Sequence, residues 1–322
     1  MHMLSRRALL LGANAFVLST ASSAAQDQPL KIVYPFPAGN AADAVARLIA
    51  ERLQHDLHRS VIVENKSGAA GRIGAHAVKD TPADGGALLF AVSSMMTLQP
   101  HLFADTGYDP FADFAPVSQV MTFDQAVAVA ATSPIRSIQD LVAWYKANPA
   151  QAVYGSPGAG SGPHIVAVEF AKAFGLNLRH AAYRGTAAAL PDLFAGRIPA
   201  HFAASAELAE HHVGGRLRIL AIGGAERAPA LPDVPTFRES GADIDATGWY
   251  ALYASAHAPA GEIRKFERAV IAIAHDPEIS ARIRSLGFRP TGTTADALRK
   301  IQRADFDHWG RVVSASGLKI GQ

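Results

Sequence analysis

Cysteine is absent from all 322 residues. No disulfide, thiolate metal site or cysteine nucleophile can therefore operate in this chain. Charge is scarce as well. Charged residues make up 18% of the sequence, against about 25% in ordinary soluble domains. The formal net charge is +2, from 30 basic and 28 acidic residues. Arg6 and Arg7 lie in a segment read below as a removable leader, and without them the balance is 28 to 28. The pI of 8.9 is then no argument for a nucleic acid or membrane partner. After the leader no run of 18 apolar residues occurs, so a soluble mature protein is expected. No internal repeat, low-complexity tract or Pro/Ser-rich linker is visible either.

What is present begins with that leader. Arg6-Arg7, the largely apolar stretch Ala8 to Thr20 and the small residues Ala21 to Ala25 read as a cleaved export signal over residues 1–25. A periplasmic location follows as an expectation. Ser5-Arg6-Arg7 fits both a Sec signal and a loose twin-arginine signal, and the two readings stay open.

Hydrophobic residues make up 49% of the chain, enough for two α/β cores of ordinary size. Strand-like runs (Leu30–Tyr34, Val61–Glu64, Ala87–Val92, Ala126–Ala130) alternate with helical patterns (Val45 to Leu57, Ile73 to Lys79, Ile138 to Asn148, Ile165 to Phe174). Ser137 reads as an N-cap. Such alternation predicts α/β architecture with mainly parallel sheets. In those sheets ligands sit beyond the carboxyl ends of strands.

Three loops lead into helix starts. The first runs Pro35-Phe36-Pro37-Ala38-Gly39-Asn40 towards Asp43, the second Ser156-Pro157-Gly158-Ala159-Gly160-Ser161 towards His164, and the third Tyr183-Arg184-Gly185-Thr186. Helix N-termini present unpaired N–H groups and a positive dipole end, so together they suit a small anion. Asn40 reads either as an N-cap with Asp43 three residues on, or as an amide facing the ligand. Thr186 reads as a cap for the helix after it, with Pro191 awkward inside it. Arg184 reads either as a carboxylate partner or as a structural ion-pair member, and Tyr183 as a ligand contact or a half-buried strand-end ring.

The glycines of the second loop match no phosphate-binding, dinucleotide or nucleophile-elbow pattern. No nucleophile, base and orienting group fall into place together, so no catalytic residue is assigned. Neither His55/His58 nor His211/His212 makes a convincing metal site, and no cofactor is expected.

The ordered set of motifs resembles the Bug-type solute-binding receptors of tripartite tricarboxylate transporters, from about Lys31 to the C-terminus. It comprises Pro35 to Gly39 with Asp43; Val61 to Gly71; Tyr108-Asp109-Pro110 with Asp113 to Pro116; Gly155 to Ser161 with His164; Tyr183 to Gly185; and Leu231 to Thr236 with Glu239, Gly241 and Trp249. The resemblance implies a type II periplasmic-binding-protein architecture of two doubly wound domains with a cleft between them. Residues 26–124 with 249–322 would form the first domain and 125–248 the second. It implies a small organic carboxylate ligand and the membrane subunits of a transporter as partner, with the receptor a monomer. The expected contacts are Phe36, Ala38, Gly39, Asn40, Asp43, Ser93, Ser94, Ser156, Gly158, Gly160, Ser161, His164, Tyr183, Arg184 and Gly185. Asn40-Ala41-Ala42, Ala182 and Phe202-Ala203 depart from the family pattern, the last removing an acid that many members carry. An amino-acid ligand is less expected on that account. Two other roles stay open: a ligand-sensing input to a sensor kinase, and an extracytoplasmic hydrolase using Ser156 or Ser161.

Overall fold

The computed structural model describes residues 28–82, 85–228 and 230–316; the leader expected at 1–25 lies outside the described residues. The chain opens as a strand–helix alternation: β1 (Leu30–Tyr34), α1 (Ala41–Leu57), β2 (Val61–Asn65), α2 (Arg72–Lys79) and β3 (Ala87–Val92). The short helices α3 (Ser93–Thr97) and α4 (Gln99–Leu102) follow. β1 buries Leu30, Ile32, Val33 and Tyr34 and runs parallel to β2 and β3 on its two sides. α1 buries Val45, Leu48, Ile49 and Leu53, the face expected from their spacing.

A 17-residue strand, β4 (Phe114–Ala130), then carries the chain into a second alternation. This comprises α5 (Ile138–Ala147), β5 (Val153–Ser156), α6 (Gly162–Ala173), β6 (Arg179–Ala182), α7 (Thr186–Phe194), β7 (Ala200–Ala204), α8 (Ser205–Val213) and β8 (Leu217–Ile222). Ser137 caps α5 by accepting from the Asp140 amide, as its position predicts. β5 lies parallel to β6 and β7. β9 (Thr247–Ser255) returns to the first sheet, and α9 (Ala260–His275), α10 (Pro277–Ser285), β10 (Arg289–Pro290) and α11 (Ala295–Ser316) complete the described chain.

The α/β class matches the expectation, but the sheets are less parallel than the alternation suggests. β4 pairs antiparallel with β9 from Phe114 to Asp124. From Gln125 onward it pairs antiparallel with β7, and from Ala126 with β8. The strand order is β2-β1-β3-β9-β4-β7-β5-β6, with β8 and β10 also on β4. One core packs about the first sheet, including Tyr34, Phe90, Phe123, Trp249 and Tyr250. Another packs on the second sheet, including Tyr145, Tyr154, Phe170 and Phe202.

Where β4 changes sheets, Asp124 is 1% exposed and receives two hydrogen bonds of 2.7 Å from the Arg289 guanidinium. The forked geometry satisfies both carboxylate oxygens. Removing one partner of such a pair leaves a buried charge unmatched. Arg289→Ala should therefore lower unfolding free energy by about 3 kcal/mol, read as a reduced urea midpoint. Arg289→Lys should recover only part of it, because a point ammonium cannot reproduce the fork.

Candidate functional site

A cavity of about 350 Å³ lies where β4 passes from one sheet to the other, with Gln125 in its wall. That volume suits a small organic molecule. Four helices of eight residues or more bring their N-termini to it. α1 contributes Asn40 and Ala41, α6 Ser161 and Gly162, α7 Gly185 to Ala187, and α8 Ala204 and Ala206. The first two N-termini are already engaged. Asn40 Oδ1 accepts from the Asp43 amide at 2.8 Å and Ser161 Oγ from the His164 amide at 3.3 Å. α7 and α8 have no side-chain cap, so their leading N–H groups are the ones an anion can take. Gly39 and Gly185 hold φ of 93° and 96°. Glycine adopts that region freely, which lets both loops turn sharply at the rim.

Of the expected contacts, Phe36, Ala38, Gly39, Asn40, Ser93, Ser94, Ser161, Arg184 and Gly185 line the cavity. Asn40 is both cap and wall. Its Oδ1 also accepts from the Tyr34 hydroxyl at 3.0 Å, and these two donors fix which end of the amide points inward. Arg184 is exposed at the cavity.

Asp43, Ser156, Gly158, Gly160, His164 and Tyr183 stand outside the lining and serve the framework. Asp43 is 3% exposed and accepts from the Gly39 amide, Arg47 and Asn65. Burial acts to raise its pKa, but the hydrogen bonds from Arg47, Asn65 and Gly39 outweigh burial and hold it below the ordinary value. Its reciprocal bond goes to Gly39 rather than to the Asn40 amide, so the pair is not a full capping box. The Ser156 side chain is buried, within 2.7 Å of His180 Nε2. Gly158 accepts from Ser156 Oγ, and the Gly160 amide donates to His164 Nδ1. The Tyr183 hydroxyl donates to Asp192 at 2.8 Å.

Thr186 does not cap its helix. It is the first residue of α7, and its hydroxyl pairs with Glu207 Oε2. Pro191 is accommodated within α7. Glu207, in the first turn of α8, also lines the cavity and takes a 3.5 Å contact from Asn40 Nδ2 on its Oε1. Nothing local in the sequence separates it from an ordinary acid at a helix start. Burial raises its pKa against the opposing hydrogen bond from Thr186. Gln125, 5% exposed, has its Oε1 buried with no hydrogen-bond partner among the described residues. Tyr34 and Tyr250 complete the wall beside Glu207. Burial, and then the charge of neighbouring groups including Glu207, pushes both hydroxyls up.

Behind the second loop, the His164 and His180 rings stack at 4.0 Å and 10°. Burial drives the His164 pKa down to about 3, helped by His180, and that of His180 down to about 4. Both rings are therefore neutral in the fold, while the unfolded chain takes up protons near 6.5. Their contribution to stability is full above pH 6.5 and declines as pH falls towards the folded values. His180→Phe should flatten this decline by about 1–2 kcal/mol between pH 6.5 and 4, measured by urea unfolding across that range.

The family described as tripartite tricarboxylate transporter family receptor matches residues 45–318. A UPF0065 protein of Bordetella bronchiseptica is 32% identical over 306 residues, spanning 93% of this chain and 91% of that protein. Among solved structures, R. palustris Rpa4515 with adipate superposes with a TM-score of 0.86 at 27% identity, covering 90% of this chain and 98% of that one. The periplasmic binding protein BugD does so with a TM-score of 0.84 at 27% identity, with the same coverage.

Proposed function

The chain belongs to the tripartite tricarboxylate transporter receptor family, and on that premise we propose that it captures a small organic carboxylate in the periplasm and delivers it to the membrane subunits of such a transporter. The observation that carries this reading is the pair of uncapped helix N-termini, α7 and α8, opening on one cavity beside Arg184. Backbone donors and a guanidinium hold a carboxylate without reacting with it. The adipate bound by the R. palustris relative is a ligand of that chemistry.

In this reading, residues 26–124 with 249–322 move as one body and 125–248 as the other. The two are joined where β4 and β9 run together, and they close on the ligand by a hinge motion. The Asn40–Glu207 contact spans them. The retained contacts are Phe36, Ala38, Gly39, Asn40, Ser93, Ser94, Ser161, Arg184 and Gly185. The binding role rather than a hydrolytic one is supported by the burial of Ser156, which is outside the cavity lining, and by the engagement of Ser161 Oγ as a helix cap.

Isothermal calorimetry against a panel of short aliphatic carboxylates tests the proposal. At least one should bind and be recovered chemically unchanged. Arg184→Ala should weaken that ligand about tenfold, corresponding to roughly 1.4 kcal/mol. A panel in which no carboxylate binds, or turnover of the bound compound, would overturn it.

A further inference from the structure

The cavity wall contains an acid of its own. Glu207 lies within a hydrogen-bonded chain that runs from Tyr34 through Asn40 to Glu207 and on to Thr186. The direction of that chain is set by Asn40. Its Oδ1 already accepts from the Asp43 amide and the Tyr34 hydroxyl, so Nδ2 is the end that meets Glu207 Oε1. Neither donor is a cation, and no salt bridge to Glu207 occurs among the described residues. The carboxyl group is therefore held by neutral groups in the cavity wall.

A second acceptor stands in the same wall. Gln125 Oε1 is buried and unpartnered although the side chain lines the cavity. The charge around the space is also uneven. Glu207, Glu210 and His211 lie along one face of α8, while Arg184 lies on the loop before α7. Such a space has a place for one carboxylate, on open helix donors and Arg184, and acceptors for something else.

We propose that Glu207 is a selectivity residue that acts as a carboxylate when a ligand is bound: it disfavours a second carboxylate on the ligand and favours a ligand that carries, besides its one carboxylate, a hydrogen-bond donor, a protonated amine above all. Two like charges brought together in a space with little water repel strongly, whereas a ligand ammonium or hydroxyl supplies the donor that Glu207 lacks. Selectivity then comes from a built-in repulsion as much as from attraction. Glu207 is half-buried at the cavity, and burial raises its pKa. The position also offsets the absence of an acid at Ala203: a carboxyl reaches the cavity from the following helix instead. This inference rests on the reading of the cavity as a carboxylate site.

The experiment is calorimetry with ligands matched in length, from four to six carbons, that differ only at one end: the simple carboxylate, the ω-hydroxy acid, the ω-amino acid and the dicarboxylate. For five carbons these are pentanoate, 5-hydroxypentanoate, 5-aminopentanoate and glutarate. At the best-fitting length the parent should bind the amino and hydroxy acids at least about tenfold more tightly than the dicarboxylate. Glu207→Gln should narrow or reverse that ranking. A dicarboxylate bound by the parent as tightly as the donor-bearing acids overturns the inference and leaves the carboxylate site standing. So does a ranking unchanged in Glu207→Gln. If no member of any series binds, the carboxylate site itself falls and the selectivity with it. The parent's ranking decides the matter even where the variant does not fold.

Discussion

A single strand running through two sheets sets the terms for the rest of this structure. β4 pairs with β9 up to Asp124 and with β7 from Gln125. The peptide link between those residues is where one sheet hands the strand to the other. Two sheets sharing a strand cannot bury the space beside the crossing, because the helices that cover each sheet approach it end-on. The cavity follows from that constraint, and so does its lining of helix starts. The Asp124–Arg289 fork fixes the crossing from outside. It ties β4 to the returning segment at β10, which pairs with β4 at Thr122 and Met121.

Once the helix starts converge, capping decides which of them can serve a ligand. A cap satisfies the N–H groups that would otherwise bind an anion. Asn40 and Ser161 close two of the four N-termini, while α7 and α8 remain open. Asn40 also turns its amide nitrogen to Glu207. The same residue therefore secures one helix and orients the acid across the cavity. The donors and the acid together make the space asymmetric.

The strand–loop–helix units were legible in the sequence because their determinants are local. The spacing of Val45, Leu48, Ile49 and Leu53, the caps at Asn40 and Ser137, and the apolar run Ala87–Val92 each act within a few residues. The residues that line the cavity from those loops were accessible on the same grounds. The first two-thirds of β4 were not. Ser118, Gln119, Asp124 and Gln125 interrupt its apolar pattern, and all four are buried. Gln119 and Asp124 are satisfied by Thr291, Gly292, Thr293 and Arg289, which lie more than 160 residues on. Glu207 escaped for a related reason. An acid at a helix start is ordinarily explained by the dipole, and only Thr186 and Asn40, brought in by the fold, place it against a ligand space. His164 and Tyr183 stand outside the cavity lining. Their loops reach the cavity, but their side chains turn away to His180 and Asp192.

The central claim is that the space beside the β4 crossing holds a small organic acid. Native mass spectrometry of the chain purified from its periplasm without refolding tests it most directly. The account predicts a bound fraction heavier by one small carboxylate, released intact on denaturation. It further predicts that the bound fraction disappears when Ala187, exposed at the cavity, is replaced by tryptophan. A retained ligand that is not an acid, or one still bound to Ala187→Trp in a folded protein, would contradict it.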